Sequence, residues 1–241
     1  MDLRTYRIKK KALEQHRSSN FLSDFILGSQ DGLVNVLGII LGLSAATSDI
    51  RLILVAGFAA LGAESISMGA VAYTSTLARE KQYTRSVERE REEIKKLPNH
   101  DKKYIRMVLE KWGYRGKELG ELTRLITSNP EAALEFMLSF ENKISPVEKT
   151  APLRSFSVVL TATIFGSIIP LIPFFLFSHN VLTASAIAVI ISGITLFGIG
   201  YYEAKTTVGS LWRSGLQLLI IGLAAGFAGY LIGHFIGAVP I

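Results

Sequence analysis

Five long apolar runs, each able to cross a lipid bilayer, constrain the fold of this chain more than any other feature. A transmembrane helix needs about 20 consecutive apolar residues, and 49% of the 241 residues are hydrophobic. The runs cover about Phe21–Ala46, Leu52–Leu77, Phe156–Phe177, Val181–Tyr202 and Leu211–Phe235. The sequence therefore predicts an all-α, polytopic membrane protein with five transmembrane helices.

Positive charge is distributed unevenly among the segments that connect the runs. Residues 1–20, residues 79–154 and the loop with Lys205 and Arg213 hold nearly all the Lys and Arg, whereas the other loops hold only Arg51. Because cytoplasmic loops are enriched in Lys and Arg, we expect the first group to be cytoplasmic. The predicted domains are a cytoplasmic tail at 1–20, two transmembrane helices at 21–78, a cytoplasmic helical domain at 79–150 and three transmembrane helices at 151–241.

Composition excludes several classes of function. The net charge is +6, but basic and acidic residues are interleaved beside apolar helices, a pattern that argues against nucleic-acid binding. With no cysteine in the chain, any metal site must use Asp, Glu, Met, His, Asn or backbone oxygen. No nucleophile and base stand in a catalytic pattern, so we do not expect an enzyme.

Two carboxylates and a methionine are predicted to share one layer inside the membrane. Asp31 lies in the first run, and Glu64 and Met68 lie in the second. The short turn Thr47–Arg51 makes the two runs an antiparallel hairpin. Counting back from this turn places Asp31 at a level between Glu64 and Met68. At about 1.5 Å per residue, this level is roughly 25 Å from the turn. Asn35, one helical turn from Asp31, can add an amide oxygen to this layer.

This layer suits a divalent metal ion with some soft character. An unpaired carboxylate in hydrocarbon is costly, and no Lys or Arg lies deep within a run to pair with Asp31, which we therefore expect to be functional. Oxygen and sulfur ligands together favour Fe²⁺ or Mn²⁺ over Mg²⁺ or Ca²⁺. The alternative for Glu64 is a protonated carboxyl group that bonds Ser65, Ser67 or Asn35.

The segment 79–150 carries 13 of the 20 acidic residues and a second candidate metal site. Glu90 and Glu93 are three residues apart on one helix face, and Met137 and Glu141 are four apart on another. These three carboxylates and the thioether can close a mixed metal site between two helices.

Turn and cap signals divide the same segment into short helices. The predicted helices cover about 84–97, as a continuation of the second run, 102–112, 117–127 and 130–141, with Asn129 as the N-cap of the last. The alternative to a metal site is a solvated bundle in which the glutamates pair with Arg89, Arg91 and Lys95, and Met137 lies in the core.

Small residues and prolines indicate how the transmembrane helices pack. Glycines recur at four-residue spacing in the first run and the last, as Gly28 and Gly32, Gly38 and Gly42, Gly222 and Gly226, and Gly229 and Gly233. This spacing favours close approach of helix backbones. Pro170 and Pro173 predict a kink in the third run, because proline removes a helix hydrogen bond.

Six short motifs carry a resemblance to a known family. They are Ser-Gln-Asp-Gly-Leu at 29–33, Ser-Met-Gly at 67–69, Arg-Glu-Arg-Glu-Glu-Ile at 89–94, Asn-Pro-Glu at 129–131, Phe-Met-Leu-Ser-Phe-Glu at 136–141 and Ile-Pro-Leu-Ile-Pro at 169–173. In order and spacing, over about Phe21–Phe235, they resemble the vacuolar iron transporter family. The resemblance implies a homodimer with the pathway at its interface, a cytoplasmic domain that collects metal, and proton-coupled export of Fe²⁺.

The resemblance also assigns roles to individual residues. Asp31 and Met68 match the pathway ligands. The positions that match the cytoplasmic ligands are Glu90, Glu93, Met137 and Glu141, with Asp101 where the family typically has a glutamate.

Three positions depart from the family pattern. Ala60 stands where plant members have a second intramembrane glutamate, and Glu64, one turn later, can substitute for it. Tyr104 replaces a cytoplasmic glutamate ligand, and Leu138 replaces a second methionine.

The resulting hypothesis is a divalent-metal/proton antiporter that moves Fe²⁺, with Mn²⁺ as a further candidate, out of the cytoplasm and binds no permanent cofactor. Its expected partners are a second copy of the chain, the lipid bilayer, divalent metal ions and protons. Two alternatives stay open: a membrane-anchored metal sensor or buffer without transport, and uptake instead of export. Residues 1–20 show no evident targeting extension, which favours a prokaryotic cell membrane. In a eukaryote, the expected location is the vacuolar membrane.

Overall fold

The computed structural model describes the backbone of residues 3–96, 98–142, 144–207 and 209–237, and the side chains of residues 3–20, 95 and 98 lie outside the description. Within these ranges every regular element is a helix. The helices are α1 (Leu3–Ala46), α2 (Ile50–Lys96), α3 (Pro98–Lys111), α4 (Gly116–Thr127), α5 (Pro130–Phe140), α6 (Ala151–Leu176), α7 (Val181–Thr206) and α8 (Leu211–Gly237). The prediction of an all-α chain is confirmed.

Five of the described helices, α1, α2, α6, α7 and α8, are long and apolar enough to cross a membrane, which confirms the predicted polytopic architecture. The 47 residues of α2 extend about 70 Å at about 1.5 Å per residue, more than twice the hydrocarbon thickness of about 30 Å. Its apolar part ends near Leu77, and the rest of the helix is polar.

The local sequence signals are largely reproduced, with one correction. Asn129 caps α5, since its side chain accepts hydrogen bonds from the backbone N–H groups of Glu131 (3.1 Å) and Ala132 (3.3 Å). The second short helix was predicted from residue 102, but α3 begins at Pro98, because the first turn of a helix needs no N–H from proline. Helix α6 continues through Pro170 and Pro173.

The chain divides into two compact units, which we call the membrane unit (Met1–Tyr73 with Leu153–Ile241) and the intervening unit (Thr74–Pro152). The core of the membrane unit joins four of its spans through apolar side chains. Its buried members include Leu37, Ile40, Ile53, Leu171, Phe174 and Ala188. In the intervening unit, α3, α4 and α5 bury Ile105, Leu109, Leu119, Ala133 and Met137 against one another.

Glycines bring spans of the membrane unit into backbone contact, as the four-residue spacing predicted. A Cβ atom added at Gly233 or Gly229 of α8 would meet the carbonyl oxygen of Gly42 or Gly38 of α1. A Cβ atom at Gly32 would likewise meet the carbonyl oxygen of Thr163 on α6. Helix α1 is therefore held between α6 and α8 at distances that no larger residue permits.

Candidate metal sites

The first candidate site lies where α1 and α2 pass each other in the membrane unit. The side-chain amide of Asn35 donates a hydrogen bond to Oε1 of Glu64, and the carboxyl groups of Asp31 and Glu64 interact with each other. Met68 follows Glu64 by one turn and is half-buried. The structure thus brings Asp31, Asn35 and Glu64 together, with Met68 on the same side of α2.

The polar partner of Glu64 is Asn35, one of the three candidates that the sequence offered. The hydroxyl group of Ser65 is buried and has no hydrogen-bond partner among the described residues, so it does not satisfy Glu64. Asn35 is exposed on the surface of the single chain, and Asp31 and Glu64 are half-buried. The polar layer is therefore open on one side of the membrane unit.

A cavity of about 600 Å³ begins beside Asn35 and follows α1 and α8 to the ends of both helices. Its wall is mainly glycine and aliphatic side chains, including Gly38, Gly42, Ala46, Gly229 and Gly237. This cavity links the Asn35 layer to the end of the membrane unit that carries the α1–α2 turn.

A further carboxylate, Asp24, had no place in the sequence-based site. Its Oδ2 atom accepts a hydrogen bond of 2.7 Å from the hydroxyl group of Ser155, a buried residue of α6. Asp24 precedes Asp31 by seven residues, so both lie on one face of α1. That spacing is a signal by which the sequence could have indicated Asp24.

The second candidate site lies in the intervening unit around Glu90. Glu90 is 1% exposed and Asp101 is 3% exposed, yet Oε1 of Glu90 and Oδ2 of Asp101 have no hydrogen-bond partner within the described part of the chain. Oε2 of Glu90 accepts a hydrogen bond of 2.9 Å from the side-chain amide of Asn142. Buried carboxylate oxygens without donors are rare in folded proteins and are well suited to a cation.

Glu90 interacts electrostatically with the other predicted carboxylates. Burial raises the pKa of Glu90, the hydrogen bond from Asn142 lowers it, and the charges of Glu141, Glu93 and Asp101 raise it further. Glu90 is therefore close enough to three other carboxyl groups to be repelled by them, and a bound dication would relieve this repulsion.

The cluster is not a closed coordination shell. In residues 3–96, 98–142, 144–207 and 209–237, no three His, Asp or Glu side chains converge in a way that could hold a metal ion. Glu141 is exposed, and Glu93 forms an ion pair of 3.5 Å with Arg89. Metal binding in this unit therefore requires rotation of carboxylate side chains.

Met137 lies in the apolar core of the intervening unit with no exposed surface. This is the position that the non-metal alternative assigned to it. Of the cations in that alternative, Arg89 pairs with Glu93, whereas Arg91 pairs with Glu131 at 3.0 Å.

Two of the three positions that depart from the family pattern, Tyr104 and Leu138, have structural roles here. The hydroxyl group of Tyr104 donates a hydrogen bond of 2.9 Å to the carbonyl oxygen of Phe140, and Leu138 is buried. His100, which the sequence did not single out, places Nδ1 at 3.5 Å from Oδ1 of Asp101. An imidazole therefore stands at the edge of the carboxylate cluster.

Comparison with known proteins finds similarity over nearly the whole chain. The family model described as the VIT family matches residues 22–234. Vacuolar iron transporter 1 of Arabidopsis thaliana is 29% identical over 95% of this chain and 93% of its own length. Vacuolar iron transporter 2 of Oryza sativa subsp. japonica is 31% identical over 90% of both chains. Protein CCC1 of Saccharomyces cerevisiae is 25% identical over 88% of this chain and 68% of its own length.

Proposed function

The chain belongs to the VIT family, and we propose on this ground that it carries Fe²⁺, with Mn²⁺ as a second substrate, out of the cytoplasm in exchange for protons. Its relatives are named iron transporters, and family membership agrees with the prediction that the chain is not an enzyme. The observation that carries the proposal is the layer of Asp31, Asn35 and Glu64 on two adjacent spans.

Exchange follows from competition between a metal ion and protons for the same carboxyl groups. An uncompensated carboxylate in hydrocarbon is costly, so Asp31 and Glu64 must hold either protons or a cation. A metal ion that reaches the layer from the cytoplasm displaces protons, and protons that return from the far side release the metal. The cavity that begins at Asn35 is the proposed release path.

A second copy of the chain is the proposed cover for the open side of this layer. Asn35 is exposed in the single chain, and so is Ile39 one turn later. Polar groups at this depth are stable when they face protein or water instead of lipid. The homodimer implied by the family resemblance would supply protein on this side and enclose the pathway between two copies of α1.

The intervening unit is proposed to collect metal from the cytoplasm. Its carboxylate cluster raises the local concentration of cations. The uneven distribution of Lys and Arg supports a cytoplasmic position for this unit. The relatives' names place them at the vacuole, so the proposed location is the vacuolar membrane in a eukaryote and the cell membrane in a prokaryote.

The direct test of the pathway is Fe²⁺ transport by proteoliposomes that contain Asp31→Asn. We expect transport to be lost, since the variant cannot exchange a proton for metal at this position. Asp49→Asn is the matched control, because Asp49 caps the start of α2 through a side-chain oxygen that Asn also has. Transport by Asp31→Asn at the parent rate would contradict the assignment.

The collecting role is tested by replacing Glu90 and Glu93 together with Ala. We expect a raised KM for Fe²⁺ and an almost unchanged rate at saturating Fe²⁺, because the pathway itself is intact. The control replaces Glu118 and Glu121, two exposed glutamates also three residues apart, on α4. An equal loss of rate at low and saturating Fe²⁺ would argue against collection.

A further inference from the structure

Arg89 contacts two residues beside Glu90, one on α2 and one after α5. Its Nε atom lies 3.5 Å from Oε1 of Glu93, and its Nη2 atom donates a hydrogen bond of 3.2 Å to Oδ1 of Asn142. Glu93 is on α2, whereas Asn142 follows α5. One guanidinium group therefore joins α2 to the segment after α5 beside the candidate metal site.

Asn142 extends this contact to the buried carboxylate. The amide oxygen of Asn142 faces Arg89, and its amide nitrogen donates to Oε2 of Glu90 at 2.9 Å. The amide cannot offer its oxygen to a metal ion while it holds this orientation. Arg89 thus occupies both the carboxylate of Glu93 and an oxygen that could complete a coordination shell.

Two inner oxygens of the cluster lack a comparable partner. Oε1 of Glu90 and Oδ2 of Asp101 are buried and have no hydrogen-bond donor among the described residues. The guanidinium group therefore neutralises the outer carboxylate, and the inner oxygens stay available to a second cation. This arrangement differs from a solvated helix, in which every carboxylate would face water.

We propose that Arg89 is an internal counter-cation that an incoming metal ion must displace. Arg89 holds Glu93 and Asn142 in the metal-free protein and moves into solvent when the metal binds, and it returns as the metal leaves. This inference rests on the proposed collecting function. Its consequence is weaker binding and faster release, as a site that passes metal onward requires.

The size of the effect follows from the charge of Arg89 and its exposure. The side chain is 63% exposed, so its interaction with a dication a few ångströms away is reduced by water and by salt. With water-like screening, removal of the charge should tighten metal binding by about three- to tenfold. Arg89→Lys should lie between the parent and Arg89→Gln, because Lys keeps the charge but cannot contact both partners at once.

The test is titration of the purified full chain with Mn²⁺, with free Mn²⁺ followed by electron paramagnetic resonance. All proteins carry Asp31→Asn and Glu64→Gln, which remove both carboxylates of the membrane layer, so that the intervening unit is the site measured. Arg91→Gln is the matched control. Arg91 lies two residues after Arg89 and pairs with Glu131, so this variant removes the same charge without changing the contacts of Arg89. We expect tighter binding in Arg89→Gln than in Arg91→Gln, and slower capture of bound Fe²⁺ by the chelator ferrozine.

The outcomes separate the inference from the proposed function. If the parent binds no Mn²⁺ in this unit, the collecting function itself is wrong. If the parent binds Mn²⁺ and Arg89→Gln binds it equally or more weakly, Arg89 is not a competitor and only the inference is overturned. Equal tightening in Arg89→Gln and Arg91→Gln would also overturn it, because the effect would then belong to net charge.

Discussion

Replacement of Glu90 with Gln should stabilise the intervening unit without metal and remove its stabilisation by metal. Glu90 is 1% exposed, and its Oε1 atom has no hydrogen-bond partner within the described chain. A buried polar group without a partner costs about 1–3 kcal/mol, and three nearby carboxylates add repulsion. Gln keeps the shape and the acceptor for Asn142, and its amide group can donate to these carboxylates.

The expected gain in the free energy of unfolding is about 1–2 kcal/mol. For a domain of this size, about 1 kcal/mol shifts Tm by about 4–8 °C, so Tm should rise by about 5–10 °C. Mn²⁺ at about one hundred times its Kd should stabilise the parent by about 2.7 kcal/mol and the variant much less. The order of stability should therefore reverse when Mn²⁺ is added.

Trp112 can report on this unit by its fluorescence during heating. Its ring packs against Phe136 and Phe140, with ring centroids 6.1 and 5.0 Å away. Trp212 lies in α8 and is replaced by Phe in every protein compared. The control is Glu131→Gln, an exposed carboxylate whose loss should change stability by less than about 0.5 kcal/mol.

Two results would refute this reasoning about Glu90. The first is a lower Tm for Glu90→Gln than for the parent without metal, which would mean that the carboxylate is already satisfied. The second is equal stabilisation of both proteins by Mn²⁺, which would mean that Glu90 is not a ligand.

Three further predictions follow from single contacts. Gly233→Ala should lower the midpoint of thermal unfolding in detergent, because its Cβ atom would meet a carbonyl oxygen of α1, whereas Gly62→Ala, which meets nothing within 4 Å, should not. The metal-free intervening unit should gain stability as the pH falls, because the pKa of Glu90 is raised in the folded state. This contribution to stability is complete below the pKa of the unfolded carboxyl group and is lost as the pH rises through the pKa of the folded one. Glu90→Gln should flatten the dependence of stability on pH. Asn35→Ala should raise the KM for Fe²⁺ about tenfold, since hydrogen bonds to charged groups contribute about 1.5–3 kcal/mol; an unchanged KM would mean that Asn35 does not position Glu64.

The architecture could be predicted because its signals are local. The length of an apolar run fixes a span, and the spacing of Gly229 and Gly233 indicates a close backbone contact. Asn129 before Pro130 indicates the start of a helix. Each of these signals depends on residues within a few positions of one another, so the sequence alone determines it.

The details of the candidate sites depend on pairs that are far apart in the chain. Asn142 and Glu90 are 52 residues apart, and Ser155 and Asp24 are 131 apart. No spacing rule relates such pairs, because their approach depends on how whole helices pack. For the same reason, the spacing of Glu90 and Glu93 indicated a shared helix face but not that one carboxylate is buried and the other pairs with Arg89.

The most direct test of the central claim measures Fe²⁺ and protons together in proteoliposomes that contain the parent or Asp31→Asn. With a pH gradient imposed, the parent should move Fe²⁺ and protons in opposite directions, and both fluxes should vanish in Asp31→Asn. Fe²⁺ flux without proton counterflow would contradict exchange. Metal binding by the intervening unit with no Fe²⁺ flux under either direction of gradient would instead identify a membrane-anchored sensor or buffer.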